Sequence, residues 1–161
     1  MDEIALSKLT VTPELALEFF AVFSRLEYAL KVGGFLQPGE GEAKADWHGF
    51  TRKLEETAFA TNINPQLLVA FDYLTKRSPR HFAVRNGILG WFPITVPAGI
   101  SQVDNTIRVI KQLRHNFFHG GKFAIDPDSS EDRDTKLLKY ALEVLHEIRI
   151  QFPVVKREYE S

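Results

Sequence analysis

Within the stretch VIKQLRHNFFHGGK, residues 109–122, Lys111, Arg114, His115, His119 and Lys122 carry charge or exchange protons. Arginine presents a planar fork of donors that fits a phosphate or carboxylate bidentately. Histidine is the side chain best suited to moving protons near neutral pH. An arginine followed five positions later by a histidine suggests a site that grips an anion and transfers a proton. The placement of the arginine is unusual. On a wheel at about 100° per residue, Val103, Ile107, Ile110, Leu113 and Phe117 form one apolar stripe, and Arg114 falls inside it. An isolated buried charge is costly, so Arg114 must be paired or must open onto a polar cavity.

Two readings of Arg114 stand side by side. In one it makes a structural ion pair with a carboxylate of another helix, Glu27 being a candidate. In the other it lines a cleft and offers its donors to a phosphate. For His119 the plainer alternative is a residue that complements the dipole at a helix C-terminus. His115 and His119 are also spaced i, i+4, which suits two ligands of a metal. The remaining histidines, His48, His81 and His146, lie in no recognisable ligand motif. Neither a bound metal nor a cofactor is expected.

The elements that must hold these residues read as helices. Thr12 as N-cap, Pro13 at the first helical position and Gly33-Gly34 at the end bound a helix over 12–34. Residues 35–45 are a loop by their Pro and Gly content. Asp46 opens a second helix over 46–61, and Asn64 with Pro65 opens a third over 64–77. Residues 78–101 read as irregular, with 91–96 the one strand candidate. A fourth helix starts at Ser101 or Asp104, runs to His119 and stops at Gly120-Gly121. The acidic loop 126–134 caps a fifth helix over 135–150. The expected fold class is therefore all-α, a four- to five-helix bundle forming one domain over residues 1–161.

Composition removes several function classes. With 161 residues, 44% hydrophobic and 25% charged, the chain has the make-up of a soluble globular protein. It has no cysteine, which excludes disulfides, thiolate metal sites and a cysteine nucleophile. The acidic, mixed opening MDEIALSKLT carries no secretory signal, and the apolar run at 15–23 is too short to span a bilayer. A cytoplasmic protein without membrane contact is expected. A formal net charge of −1 disfavours a protein that grips a long nucleic-acid backbone, so any nucleic-acid role must rest on a local patch.

Arg114, four intervening residues and His119 resemble the signature of the HEPN superfamily, the higher eukaryotes and prokaryotes nucleotide-binding domains. The segment RHNFFHGGK looks like a bacterial branch whose motif reads close to RNNLFHGGK. RLEYALK at 25–31, ADWHGF at 45–50, and SPR at 78–80 followed by LGW at 89–91 are weaker echoes. The specific part of the match is residues 111–122. The resemblance implies an α-helical bundle that dimerises, with two motif copies meeting at the dimer cleft. It implies a metal-independent endoribonuclease that uses the 2′-hydroxyl of its RNA as nucleophile and leaves a cyclic phosphate. Bacterial members of this kind are often toxins held by a cognate antitoxin protein, or parts of phage defence.

Under that resemblance, His119 transfers protons and Arg114 holds the non-bridging phosphate oxygens. His115 orients the phosphate or tunes His119, Asn116 supplies a neutral hydrogen bond and Lys122 adds local field. Glu27 pairs with Arg114 or, equally, with Lys31 on a solvated face. Lys111 together with Lys76, Arg77 and Arg80 of the basic segment 76–85 receives RNA phosphates, the alternative being a solvated loop. Arg114 and His119 lie about 140° apart on an ideal wheel. A helix that ends early, or a site shared by two chains of a homodimer, reconciles them. Two other functions fit the same residues: a non-catalytic module binding nucleotide, RNA or protein, and a helical metal protein using His115 and His119.

Overall fold

A computed structural model describes residues 3–119 and 127–161. The chain runs α1 (Glu3–Leu6), α2 (Pro13–Val32), α3 (Trp47–Glu55), α4 (Ala58–Thr61), α5 (Pro65–Lys76), β1 (His81–Arg85), β2 (Ile88–Phe92), α6 (Gln102–Phe118), α7 (Glu131–Ile148) and α8 (Pro153–Glu160). Helix starts follow local chemistry. The side chains of Thr12, Asn64, Ser101 and Ser130 each accept a hydrogen bond from the backbone three residues on, which satisfies a free N–H of the first turn.

The helices bury one joint core. Phe19, Phe23, Leu26 and Leu30 of α2 meet Leu113 and Ile110 of α6, Leu138 and Leu145 of α7, and Phe71 and Leu74 of α5 in a single cluster. Helix α2 packs on α7 and α8, and α5 packs on both α6 and α7. The stripe expected on α6 is buried throughout: Val103, Ile107, Ile110, Leu113 and Phe117. A fully buried side chain of this size contributes about 1.5–3 kcal/mol relative to exposure, so α6 is fixed by its own apolar face. Where α2 ends, a Cβ on Gly33 would lie 3.2 Å from Val155, so glycine lets α8 approach. No helix among the described residues is long and apolar enough to cross a membrane.

The chain is mostly helical but not purely so. Residues 81–85 and 88–92, expected to be irregular apart from a strand at 91–96, form a two-stranded antiparallel sheet. His81 pairs with Phe92 and Arg85 with Ile88, leaving Asn86-Gly87 as a two-residue turn. Both turn residues have positive φ, 52° at Asn86 and 76° at Gly87. That is what a turn matched to strand twist requires, and Asn-Gly is its usual sequence. The strand expectation for 91–96 holds only at Trp91 and Phe92.

Other boundaries shift for local reasons. The single helix expected over 46–61 breaks into α3 and α4, because the Thr57 hydroxyl donates to the Leu54 carbonyl at 2.6 Å and Thr57 is extended. Helix α7 starts at Glu131 rather than 135, since Ser130 caps it and its acidic residues complement the helix dipole. Among those residues Asp134 is fully buried, and it accepts from Thr10 Oγ1 and Ser129 Oγ at 2.5 Å each. Helix α8 lies in a segment where no element was expected.

Candidate functional site

Helix α6 ends at Phe118, and His119 leaves helical geometry with φ −115° and ψ 30° while its N–H still bonds to the His115 carbonyl. This early end swings the imidazole back over the last turn. Arg114 Nη1 lies 3.0 Å from His119 Nε2. A guanidinium only donates, so in this contact Nε2 is the acceptor. The two residues that an ideal wheel separates are thus in direct contact within one chain.

Arg114 is half-buried, and its Nε is sealed from solvent without a hydrogen-bond partner. Its guanidinium carbon stands 6.0 Å from the Phe23 ring centroid, at the outer limit of a cation–π contact. No ion pair joins Arg114 to Glu27 or Glu27 to Lys31 among the described residues. Instead Glu27, Glu42, Lys31, Lys44, Lys111 and Arg114 line one cleft of about 300 Å³, with Phe23, Ala43 and His115, between α2, residues 42–44 and α6. Of the two readings of Arg114, the structural ion pair is not found among the described residues; Arg114 instead lines an open cleft with more basic than acidic side chains.

Three imidazoles stand in a row beside the guanidinium. His115 and His119 have ring centroids 4.6 Å apart, and His81 meets His115 edge-on at 5.9 Å. The His115 imidazole is pushed below its ordinary value, first by burial, then by His119, His81 and Arg114. Among the described residues, no group of three His, Asp or Glu is arranged to hold a metal ion.

Asn116 is sealed beneath this surface. Its Nδ2 donates to the Arg80 carbonyl at 2.8 Å, and its Oδ1 accepts from Gln112 Nε2 at 2.7 Å. The neutral hydrogen bond expected of Asn116 thus goes to the main chain that leads into β1. Arg80 itself is engaged by Asp128 at 2.6 Å, and Lys76 by Asp72 at 2.8 Å. Arg77 is exposed, and its carbonyl accepts from Arg133 Nη2. Of the basic segment 76–85, the residue that reaches the row is His81. Lys122 lies outside the described residues.

On the other side of Lys111 a second cleft, of about 280 Å³, is lined by His81, Ile94, Arg108, Lys111, Gln112 and His115. Lys111 is lowered from its ordinary value by desolvation and then by Arg108, against the opposing pull of Glu27 and Asp104. Sequence reasoning passed over Arg108 and Lys44; it named Lys31 only as an alternative partner of Glu27, and His81 only as part of the basic segment 76–85. Arg108 was accessible to it, one turn before Lys111 on the same face of α6. The place of His81 beside His115 was not, because only the hairpin brings it here. Comparison with known proteins finds no family model, curated protein or solved structure that matches the chain.

Proposed function

We propose that this protein is a HEPN-like, metal-independent endoribonuclease built around Arg114 and His119. The observation that carries the reading is the Arg114–His119 contact at 3.0 Å, beside a predominantly basic cleft and, among the described residues, without an ion-paired carboxylate on the guanidinium. Cleavage through the 2′-hydroxyl needs an acceptor for the hydroxyl proton, a cation for the phosphorane oxygens and a donor for the leaving oxygen. His119 Nε2 takes the 2′-hydroxyl proton once Arg114 turns its fork to the phosphate. The 2′-oxygen bonds to phosphorus, the bond from phosphorus to the 5′-oxygen breaks, and a second, protonated imidazole gives that oxygen its proton. The products are a 2′,3′-cyclic phosphate and a 5′-hydroxyl.

That second imidazole is His119 of another copy in a homodimer. In support, Phe118 next to His119 and Phe20 on α2 meet at a tilt with ring centroids 4.9 Å apart while 38% and 42% exposed, an apolar surface beside the site. The likeness of RHNFFHGGK to the bacterial HEPN motif adds the wider proposal of a cytoplasmic toxin or defence effector held by an antitoxin protein.

Incubating the purified protein with RNA in excess chelator tests the reading. Cleavage that leaves cyclic phosphate ends, persists in chelator, and disappears in Arg114→Ala and His119→Ala is expected. A folded wild-type protein that binds RNA yet cleaves none would instead be a binding module.

A further inference from the structure

The second cleft has a composition that the cleavage reaction at Arg114 does not account for. It gathers Arg108, Lys111, His81 and His115, with no carboxylate among the described residues that line it. Elsewhere the chain pairs surface cations with acids in reach: Lys53 with Glu56, Lys76 with Asp72, Arg80 with Asp128, Lys136 with Asp132. Among the described residues, neither Arg108 nor Lys111 has such an ion pair. Arg108 donates from Nη2 to the Thr95 carbonyl at 3.2 Å, which anchors the guanidinium and leaves its remaining donors available. Glu27 and Asp104 act on Lys111 from outside this cleft.

Lys111 and His115 line both clefts and so form the wall between them. Arg108 and Arg114 are six residues apart on α6, or about 9 Å along its axis. That separation suits two phosphates of one strand, not one phosphate held twice. We propose that the cleft between β1 and α6, lined by Arg108, Lys111, His81 and His115, is a phosphate subsite for a second phosphodiester of the same RNA strand. The strand crosses the Lys111–His115 wall, with one phosphate at Arg114 and another at Arg108. Ile94 supplies the apolar wall on which a sugar or base edge rests. This inference rests on the ribonuclease reading for the identity of the strand. It gives the hairpin a purpose, which is to bring His81 to the subsite.

The test uses a fluorescein-labelled 2′-O-methyl RNA decamer, whose blocked 2′-oxygens prevent cleavage, and follows its anisotropy over a range of salt. Wild type binds, and Arg108→Ala/Lys111→Ala raises Kd on the order of tenfold, the loss expected for charged hydrogen bonds. Each single substitution flattens the slope of log K against log salt by about 0.7, the release expected for one single-strand phosphate. Lys139→Ala, an exposed lysine on α7, leaves both unchanged. Arg108→Lys keeps the charge and checks that any loss is not a folding defect. A double variant that binds within about twofold of wild type, or a wild type that does not bind the decamer, overturns the subsite. Cleavage of unmodified RNA is scored separately, so loss of the ribonuclease reading alone leaves a binding change at Arg108 intact.

Discussion

The Asn116 side-chain nitrogen donates to the Arg80 carbonyl at 2.8 Å, joining the last turn of α6 to the approach to β1 across 36 positions of sequence. Asn116 is 1% exposed, so this bond forms where water cannot replace it. Through it the helix that carries Arg114 sets the position of the strand that carries His81. Replacing Asn116 by Ala leaves the Arg80 carbonyl and the Gln112 amide short of a partner. A loss of about 1–3 kcal/mol is expected, read as a lower Tm with weaker binding of the RNA decamer. An unchanged Tm would show that the bond does not hold the two elements together.

Arg114→Lys separates charge from shape. Lysine keeps the cation but not the fork, and cannot both contact His119 and grip two phosphate oxygens. Cleavage is expected to fall by about 10²–10³-fold, as for loss of a single preorganised donor, with His119→Ala falling by about 10²–10⁴-fold. Single-turnover rates measure both. Equal activity of Arg114→Lys and wild type would remove bidentate phosphate contact from the mechanism.

The exposed Phe20–Phe118 pair predicts the oligomeric state. Phe20→Glu adds charge to a surface already open to water, so folding should be little changed while dimers dissociate. Analytical ultracentrifugation reads the result, and cleavage should fall with the dimer. A monomeric wild type with full activity would leave the site complete within one chain.

Much of this arrangement is legible in the sequence because it is local. The N-caps at Thr12 and Asn64 and the apolar stripe of α6 follow from residue type and spacing, Ser101 was one of two starts open for α6, and the helices they predict are present. The hairpin was missed despite a clear signal: Asn86-Gly87 sits between two five-residue runs, but glycines and prolines nearby read as irregular chain. The early end of α6 was one of two open explanations for Arg114 and His119, and ideal helix geometry could not select it. Glu27 illustrates the limit most plainly. Charge and proximity suggest a partner for Arg114, yet only the packing of α2 against α6 decides that it lines the cleft without bonding.

Turn chemistry gives a further prediction. Gly87 has φ of 76°, where a side chain is strained. Gly87→Val should cost about 1–2 kcal/mol and weaken RNA binding through His81, leaving the helical circular dichroism intact. A variant that matches wild type in both Tm and decamer affinity would detach the turn from the site.

Stability should depend on pH through two histidines. His115 and His146 are both lowered from 6.5 in the fold, each first by burial; His146 is then lowered by Arg149, against Glu18 and Glu147. The unfolded chain binds more protons than the folded one below that value, so stability is full above 6.5 and falls as acidification continues toward the folded values. Tm is expected to drop between about pH 7.5 and pH 5.5, and less steeply in His115→Gln/His146→Gln. An identical slope in the double variant would assign the acid sensitivity to other groups.

The hairpin that completes the second cleft leaves Val84, Ile88 and Leu89 more than 60% exposed, while α6 buries most of its apolar face. Two strands with so little interior surface unfold locally at far lower free energy than a core helix. Amide protons of β1 and β2 are therefore expected to exchange long before those of α6. Under the proposed function, RNA would enter and leave by the opening of that hairpin wall, on a timescale separate from the chemistry at Arg114.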